Sequence, residues 1–582
     1  MTRAQKNVVI TLTILIALTR LAAVAHSLFD WDEALFTLGV REYNVMDHHP
    51  HPPGYPLFIA AAKIVHLAGI PEFRAVQVVV VLGAFCLFPA LFFLAREIGF
   101  DFRTSVCGAV LFAFLPNVWV YGGTGFSDVP ATAAGFAACA LLLRGRRDVR
   151  AYLLGAVVLG IAAGFRPTNL LLGLVPALIA TWHRVRQSMS QVLLAVVLGG
   201  TIAAGSYAGA ALASGSFEGY LGSVRAQSKW VHDVDSYHNP YRAPLRHLAK
   251  IFFIWPVNQR QLMVGLTALA TLSLITALVK RRRAPVLTFV IFAPFAIMAW
   301  INLDYETAAR YAIPYLAAHA LLAADALGLF ARRHPNVQAA LCAIVAGVFA
   351  VWTWPALQLQ RTSDSPPVAA LEWVRRNVPV SEKVFIHGGI GPQAQAIIPD
   401  RPNAVFYNES GEISLLSGEA WLVDLRAVPE GQSFLWPRRN PLWKIVRRRN
   451  FEASVGRVTS LVHFGDGWYG EEGSFRWMKG ESVSLLPALR GRGTLRVRIY
   501  VPVDTLPAPP AIEVRMNGAT LERFTGSPAE IEKTWTVPSR TDAPNELRIL
   551  TSATVNPAQL GRSGDTRDLG LRIDALSWSP AQ

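Results

Sequence analysis

The sequence predicts a polytopic α-helical membrane protein followed by a polar tail, and three observations carry that prediction. Of 582 residues, 52% are hydrophobic and 16% charged, and the mean hydropathy is +0.32, too apolar for one soluble core of this size. Apolar runs of about 18 to 24 residues, each long enough to cross a hydrocarbon layer of about 30 Å as a helix, fill the chain up to about residue 360. Beyond that point the long apolar runs stop, and the chain turns polar and rich in proline and tryptophan.

The spans read from these runs are 8–28, 74–95, 105–121, 127–143, 151–165, 168–182, 191–213, 261–279, 285–302, 309–330 and 337–357, about eleven crossings. The first follows a basic start, as a signal peptide would. Its apolar stretch exceeds a signal h-region and more spans follow at once, so it reads as a retained helix. With Arg3 and Lys6 on the cytoplasmic side, the loops on that side should be basic. They are: Arg96 and Arg103; Arg144, Arg146, Arg147 and Arg150; Arg184 and Arg186; Lys280 to Arg283; Arg332 and Arg333. The opposite side receives 29–73, the tip around Thr124 to Asp128, Phe165 to Thr168, the segment 214–260, the turn Asn302 to Arg310 and the whole tail.

The net charge of +15 is therefore mostly topology, and no nucleic-acid partner is implied. Cys86, Cys107, Cys139 and Cys342 all sit in apolar spans without CxxC spacing and read as small buried residues.

The tail divides in two. PPVAALEWVRRNVPVSEKVFIHGG reads as a helix followed by a buried strand, opening a small α/β domain over 361–455. Then TLRVRIYVPV, AIEVRMNGATLERF, NELRILTSA and LGLRIDALSW alternate with period two, and Asn517-Gly518 marks a hairpin, so 456–582 reads as a β-sandwich.

The unusual residues gather on the outer side. FDWDEALFTLG places Asp30, Asp32 and Glu33 where the chain leaves the bilayer, a costly depth for a carboxylate unless it faces water or a cation. Asp30 reads as an ordinary solvated loop acid. Asp128, in TGFSDVPATAAGF, opens a span; Ser127 and Asp128 ahead of Pro130 also suit a helix cap. Two carboxylates converging from separate loops suit general-base work or a divalent metal, which Asp32 and Asp128 would hold. Arg166 in AAGFRPTN and Arg310 in LDYETAARYAIPYL oppose the positive-inside rule, and a guanidinium fork suits phosphate; snorkelling to the interface is the alternative. In MDHHPHPPGYP, three histidines in four positions suggest a metal site, but Pro50 restrains the chain to an extended form that points His48, His49 and His51 apart.

The ordered set, with Asp32 and Glu33 after the first helix, HPPGYP at His51 to Pro56, Asp128 opening a span, Arg166 in GFRP and Arg310 in RYAIP, resembles the GT-C glycosyltransferases. It is most similar to their protein O-mannosyltransferase and aminoarabinose transferase branch, over residues 1 to about 360. The resemblance implies a polyprenyl-phosphate-linked sugar as donor and Asp32 as general base for an acceptor hydroxyl of a glycan, lipid or protein. Glu33 and Asp128 would support that catalysis, and one displacement would invert the anomeric centre. Arg310, Arg166, His51 and Tyr311 would meet the donor phosphate, and a bacterial cytoplasmic membrane is the expected location. The polar segment 215–250, which mixes aromatics with Arg225, Lys229, Arg242 and Arg246, would lie over the site and touch the lipid donor or acceptor, or else rest on headgroups as an amphipathic helix. His232, Asp233 and Asp235 are metal candidates by composition alone.

In the tail, Trp468, Tyr469 and Trp477 could stack on sugars as in carbohydrate-binding modules, although aromatics in a small sandwich are more often core. The competing readings are a transporter or flippase of lipid-linked sugars, or a transferase of another lipid-borne group. A transporter would place its charges near the midplane, and here they gather at the outer edge.

Overall fold

The computed structural model describes residues 1–331, 335–408, 419–428, 430–446, 451–459, 462–472, 475–506, 508–561 and 563–581. Arg332 and Arg333, two of the basic loop residues, lie outside the described residues. The chain forms two compact units, Met1–Val368 with Trp436–Phe451, and Ala369–Leu435 with Glu452–Gln582.

The first unit is helical: α1 (Arg3–Arg20), α2 (Trp31–Arg41), α3 (Pro56–His66), α4 (Glu72–Ile98), α5 (Phe102–Ala113), α6 (Pro116–Tyr121), α7 (Asp128–Arg144), α8 (Val149–Phe165), α9 (Asn169–Val185), α10 (Met189–Ala213), α11 (Phe217–Trp230), α12 (Leu245–Ala249), α13 (Arg260–Val279), α14 (Arg283–Asn302), α15 (Ala308–Tyr311), α16 (Ile313–Phe330) and α17 (Pro335–Thr362). Among the described residues, seven helices are long and apolar enough to cross a membrane: Arg3–Ala23, Glu72–Ile98, Met189–Ala213, Arg260–Val279, Arg283–Asn302, Ile313–Phe330 and Asn336–Asn377. The apolar helices α3, α5, α8 and α9 are shorter.

Three sequence expectations need correction. The stretch 105–121 is not one span: α5 ends at Ala113 and α6 starts at Pro116, because proline cannot donate to the preceding turn and its ring clashes there. The acidic pair does not sit in an irregular loop but in the first turn of α2. The Asp30 side chain accepts from the Asp32 N–H at 3.2 Å, and Glu33 reaches back to the Asp30 N–H at 3.0 Å, a reciprocal cap that starts the helix. Asp30 is thus a buried cap rather than a solvated loop acid. The histidine run is a closed turn, not an extended stretch: the His49 N–H donates to Asn44 O at 2.8 Å and the Gly54 N–H to His51 O at 3.0 Å. Gly54 has φ +98°, and a Cβ there would lie 2.5 Å from Tyr43 Oη, so only glycine fits.

Helix α7 packs against α4 at close range, since a Cβ on Gly83 would fall 2.5 Å from the Pro130 Cα. Val129, Phe136, Cys139 and Leu143 of α7 are buried. That contact fixes the helix whose first residue is Asp128. The later stretch Trp436–Phe451 also joins this unit: Trp436 stacks on Phe29 with centroids 5.8 Å apart, and Leu442, Ile445 and Val446 enter the same apolar cluster.

The second unit begins with the end of α18 (Pro366–Asn377) and continues with β1 (Val384–His387), α19 (Gly391–Ile397), β2 (Ala404–Tyr407), β3 (Glu419–Asp424), β4 (Gln432–Leu435) and, after α20 (Leu442–Val446) of the first unit, β5 (Glu452–Thr459). The sheet order is β2-β1-β3-β5-β4, with β1 parallel to β2 and β3 and the remaining pairs antiparallel. Val374, Ile386, Ile390, Val423 and Val455 form its core.

Ten strands follow: β6 (His463–Phe464), β7 (Trp468–Glu472), β8 (Phe475–Met478), β9 (Glu481–Leu486), β10 (Arg492–Tyr500), β11 (Ala511–Met516), β12 (Ala519–Thr525), β13 (Ile531–Pro538), β14 (Asn545–Thr551) and β15 (Arg572–Pro580). They make two five-stranded antiparallel sheets, β13-β10-β15-β8-β7 and β12-β11-β14-β9-β6. The period-two pattern explains their common core. Along β10, Leu495, Val497 and Ile499 are buried while Arg496 and Arg498 face away, and both sheets contribute to one apolar cluster. Asn517 and Gly518 take φ 52° and 83°, the double positive φ that a two-residue hairpin turn requires.

Candidate active site

Five segments far apart in sequence bring charged side chains to one place. Asp32 stands in the first turn of α2, Asp128 is the first residue of α7, Arg166 follows the last residue of α8, Arg310 lies on α15, and His51 comes from the proline turn. Arg310 Nη1 is 2.5 Å from Asp32 Oδ2, and its Nε is 3.7 Å from Asp128 Oδ2. Arg166 Nη1 is 2.9 Å from that same Asp128 oxygen and donates to Ser127 Oγ at 3.1 Å. Two carboxylates thus meet two guanidiniums, the arrangement that lets charge persist where solvent is scarce.

The chain locally favours these positions. Asp128 at the start of α7 sits where the helix dipole favours an anion. The expected cap is absent: Ser127 makes no side-chain cap bond, and its hydroxyl oxygen accepts from Arg166 instead. Aromatic faces back both cations. The Arg310 guanidinium lies 4.6 Å from the Phe126 centroid and 5.4 Å from Tyr311; Arg166 lies 4.5 Å from Tyr311 and 5.7 Å from Tyr55.

His51 Nδ1 is 3.9 Å from Asp32 Oδ1, and its Nε2 bonds Tyr55 Oη at 3.0 Å. Burial, with the guanidiniums of Arg310 and Arg166 acting in the same direction and Asp32 opposing, pushes its imidazole down to about 4. It is a neutral hydrogen-bonding group at ordinary pH. Glu33 is 1% exposed and faces backbone, not cavity. Its Oε1 accepts from the Gly125 N–H at 2.6 Å and its Oε2 from the N–H groups of Phe29 and Asp30 at 2.8 and 3.0 Å. Burial raises its carboxyl to about 7, while those three donors pull the other way. Glu33 therefore ties the segment bearing Asp32 to the loop bearing Asp128.

The cluster opens on a cavity of about 800 Å³. Asp32, His51, Tyr55, Arg166, Arg310 and Tyr311 line it together with Gln227, Ser228, Trp230 and Asp235 from α11 and the turn after it, and with Asp304 and Glu306. The polar segment after α10 thus borders the site, as the resemblance implies. His48 reaches the cavity and His49 does not. Sequence reasoning missed Tyr55, Phe126, Asp304 and Glu306. Each lies within a few positions of a motif already singled out, and proximity to HPPGYP, SD or ARY was the available signal.

Among the described residues, no group of three or more His, Cys, Asp or Glu is arranged to hold a metal ion. Asp32 and Asp128, the pair that would hold a metal, both contact Arg310. His232 bonds Asp233 at 2.9 Å and stacks on His238 at 3.8 Å.

In the tail, Trp468 donates to Val483 O and Ser484 Oγ at 3.1 and 3.0 Å and packs against the apolar core. Tyr469 donates to Asp568 O at 3.0 Å. Trp477 belongs to neither core nor fringe; it pairs across the sheet with Arg572 and lies 6.5 Å from the Tyr500 ring.

Residues 50–204 match the family model described as dolichyl-phosphate-mannose-protein mannosyltransferase. No curated protein matches the sequence. Among solved structures, ArnT from Cupriavidus metallidurans bound to undecaprenyl phosphate is 11% identical at a TM-score of 0.50, covering 78% of this chain and 98% of that one. The apo state of the same protein gives 12% and 0.48 over the same shares. The Archaeoglobus fulgidus oligosaccharyltransferase, in complex with Zn and sulfate, gives 12% and 0.42 over 93% and 97%. The partial family match and the fold bear out the resemblance drawn from the sequence to integral-membrane glycosyltransferases of the GT-C type. Within that class the matched region is that of the dolichyl-phosphate-mannose-protein mannosyltransferase family model.

Proposed function

We propose that the protein moves a sugar from a polyprenyl-phosphate donor to an acceptor hydroxyl on the outer face of a bacterial cytoplasmic membrane. The observation that carries this reading is the meeting of Asp32, Asp128, Arg166 and Arg310 in one ion-pair cluster, of which Asp32, Arg166 and Arg310 line the cavity and Asp128 lies behind them. Asp32 takes the acceptor proton as the acceptor oxygen bonds the anomeric carbon. The bond from that carbon to the phosphate oxygen breaks, and its electron pair leaves with the phosphate. A phosphate leaving group needs no general acid, so positive charge from Arg310 and Arg166 is the help it can use. Attack opposite the leaving group inverts the anomeric centre. Asp128 holds both arginines in place, His51 and Tyr311 adjoin the phosphate, and Glu33 acts as a positioning residue.

The same reading assigns about eleven crossings, with α5 and α6 together, α7, α8 and α9 completing the bundle, a cytoplasmic N-terminus and the tail outside. It divides the chain into a catalytic region over 1–360, a small α/β domain over 361–455 and a carbohydrate-binding-like β-sandwich over 456–582, acting on a glycan, lipid or protein acceptor. The test incubates purified protein with radiolabelled polyprenyl-phosphate sugars and membrane extract. Label should move with the wild type and not with Asp32→Asn. Equal transfer by both would remove Asp32 as base, and no transfer by either would favour a flippase.

A further inference from the structure

Asp32 and Arg310 are paired to each other, yet the proposed reaction needs each of them for something else. While Arg310 Nη1 stays 2.5 Å from Asp32 Oδ2, the base cannot take a proton without giving up a buried ion pair. The guanidinium in turn is not free to meet a phosphate. Arg166 is held as well, its Nη1 by Asp128 and Ser127.

We infer that Arg310 changes partner during the cycle: the donor phosphate draws it from Asp32, and only then is Asp32 released to act as base, so the donor binds before the acceptor can react. This rests on the transferase reading above. Three observations support the exchange. Arg310 has a second anchor, since its Nε lies 3.7 Å from Asp128 Oδ2, so its Nη atoms can swing while the side chain keeps an anionic neighbour. Its guanidinium carbon lies 4.6 and 5.4 Å from the ring centroids of Phe126 and Tyr311, whose faces favour a cation and do not fix which anion its Nη atoms meet. Both Asp32 and Arg310 line the cavity, so a phosphate entering it reaches the pair directly.

The charge balance runs the same way. As the acceptor O–H bond breaks, its proton neutralises Asp32, and as the anomeric C–O bond breaks, its electron pair adds a negative charge to the phosphate. Negative charge thus moves from the first partner of Arg310 to the second. A guanidinium that follows it is on the phosphate at the transition state and returns when Asp32 loses its proton and the product phosphate departs. With no donor present, Asp32 stays paired, and no activated hydroxyl or water is generated in the cavity.

The test measures binding of a radiolabelled polyprenyl monophosphate to the purified full chain in detergent. Asp32→Asn should bind it about tenfold more tightly than wild type, because the competitor for Arg310 is gone. Arg310→Gln should bind more weakly, and in that background Asp32→Asn should add no tightening. A gain in affinity cannot come from misfolding. Unchanged or weakened binding by Asp32→Asn overturns the exchange. So does equal tightening in the two backgrounds, which would mean simple relief of repulsion between Asp32 and phosphate. Sugar transfer by the same Asp32→Asn protein tests the base assignment separately.

Discussion

Glu33 offers a perturbation whose size follows from its surroundings. Its carboxyl is buried between Phe29, Asp30 and Gly125 and titrates near 7, against an ordinary value of 4.5. Between those two pH values the folded protein holds a proton that the unfolded chain has released. Stability attributable to Glu33 is therefore greatest below pH 4.5, falls as pH rises, and levels off above about 7. At about 1.4 kcal/mol per pH unit, over the 2.5 units from 4.5 to 7, the fall amounts to about 3–4 kcal/mol. Glu33→Gln removes the titration, and an amide presents one acceptor oxygen where the carboxylate presents two, so buried N–H groups lose partners at about 1–3 kcal/mol each. Thermal unfolding of wild type and Glu33→Gln in detergent, from pH 4 to 8, checks this. The wild-type curve should lose more stability between pH 4.5 and 7 than the variant, with the difference between the curves isolating this one group. Parallel curves would refute the assignment of Glu33 as a buried titrating clip.

Other outcomes follow from the same geometry. Asp128→Asn or Arg166→Met each leaves a buried charge uncompensated and should cost about 3–5 kcal/mol, while the pair Asp128→Leu with Arg166→Met should cost less than the sum, measured by chemical denaturation. Because His51 titrates near 4, the transfer rate between pH 5 and 8 should carry no limb from it; His51→Asn lowers the height of the pH–rate profile and leaves its shape in that window unchanged. In the tail, Trp468→Ala should lower stability by about 3–4 kcal/mol through lost packing and two lost hydrogen bonds. Trp477→Ala, off the core, should cost about 1 kcal/mol or less in the same unfolding assay.

The apolar runs were legible because hydrophobic length is a local property, and so was the period-two pattern that folds into β10, β11, β12, β14 and β15. Helix breaks were less so: Pro116 splits one apolar run into α5 and α6, and the cap formed by Asp30 and Glu33 turns an apparent loop into α2. The roles of neighbouring residues were the least legible part. Asp32 and Glu33 are adjacent acids in the sequence, yet a helix turns successive side chains by about 100°, so one lines the cavity and the other disappears into backbone.

The sequence by itself determined that this chain enters a membrane and that its unusual acids and arginines fall at the same edge of the apolar runs, because both follow from residue type and spacing. Which acid meets which arginine was decided only by the tertiary structure. The Asp32 to Arg310 contact spans 278 positions, and it exists because packed helices bring the starts of α2 and α7, the end of α8 and the short α15 to one point. No local pattern encodes a distance of that kind; close packing of the bundle does.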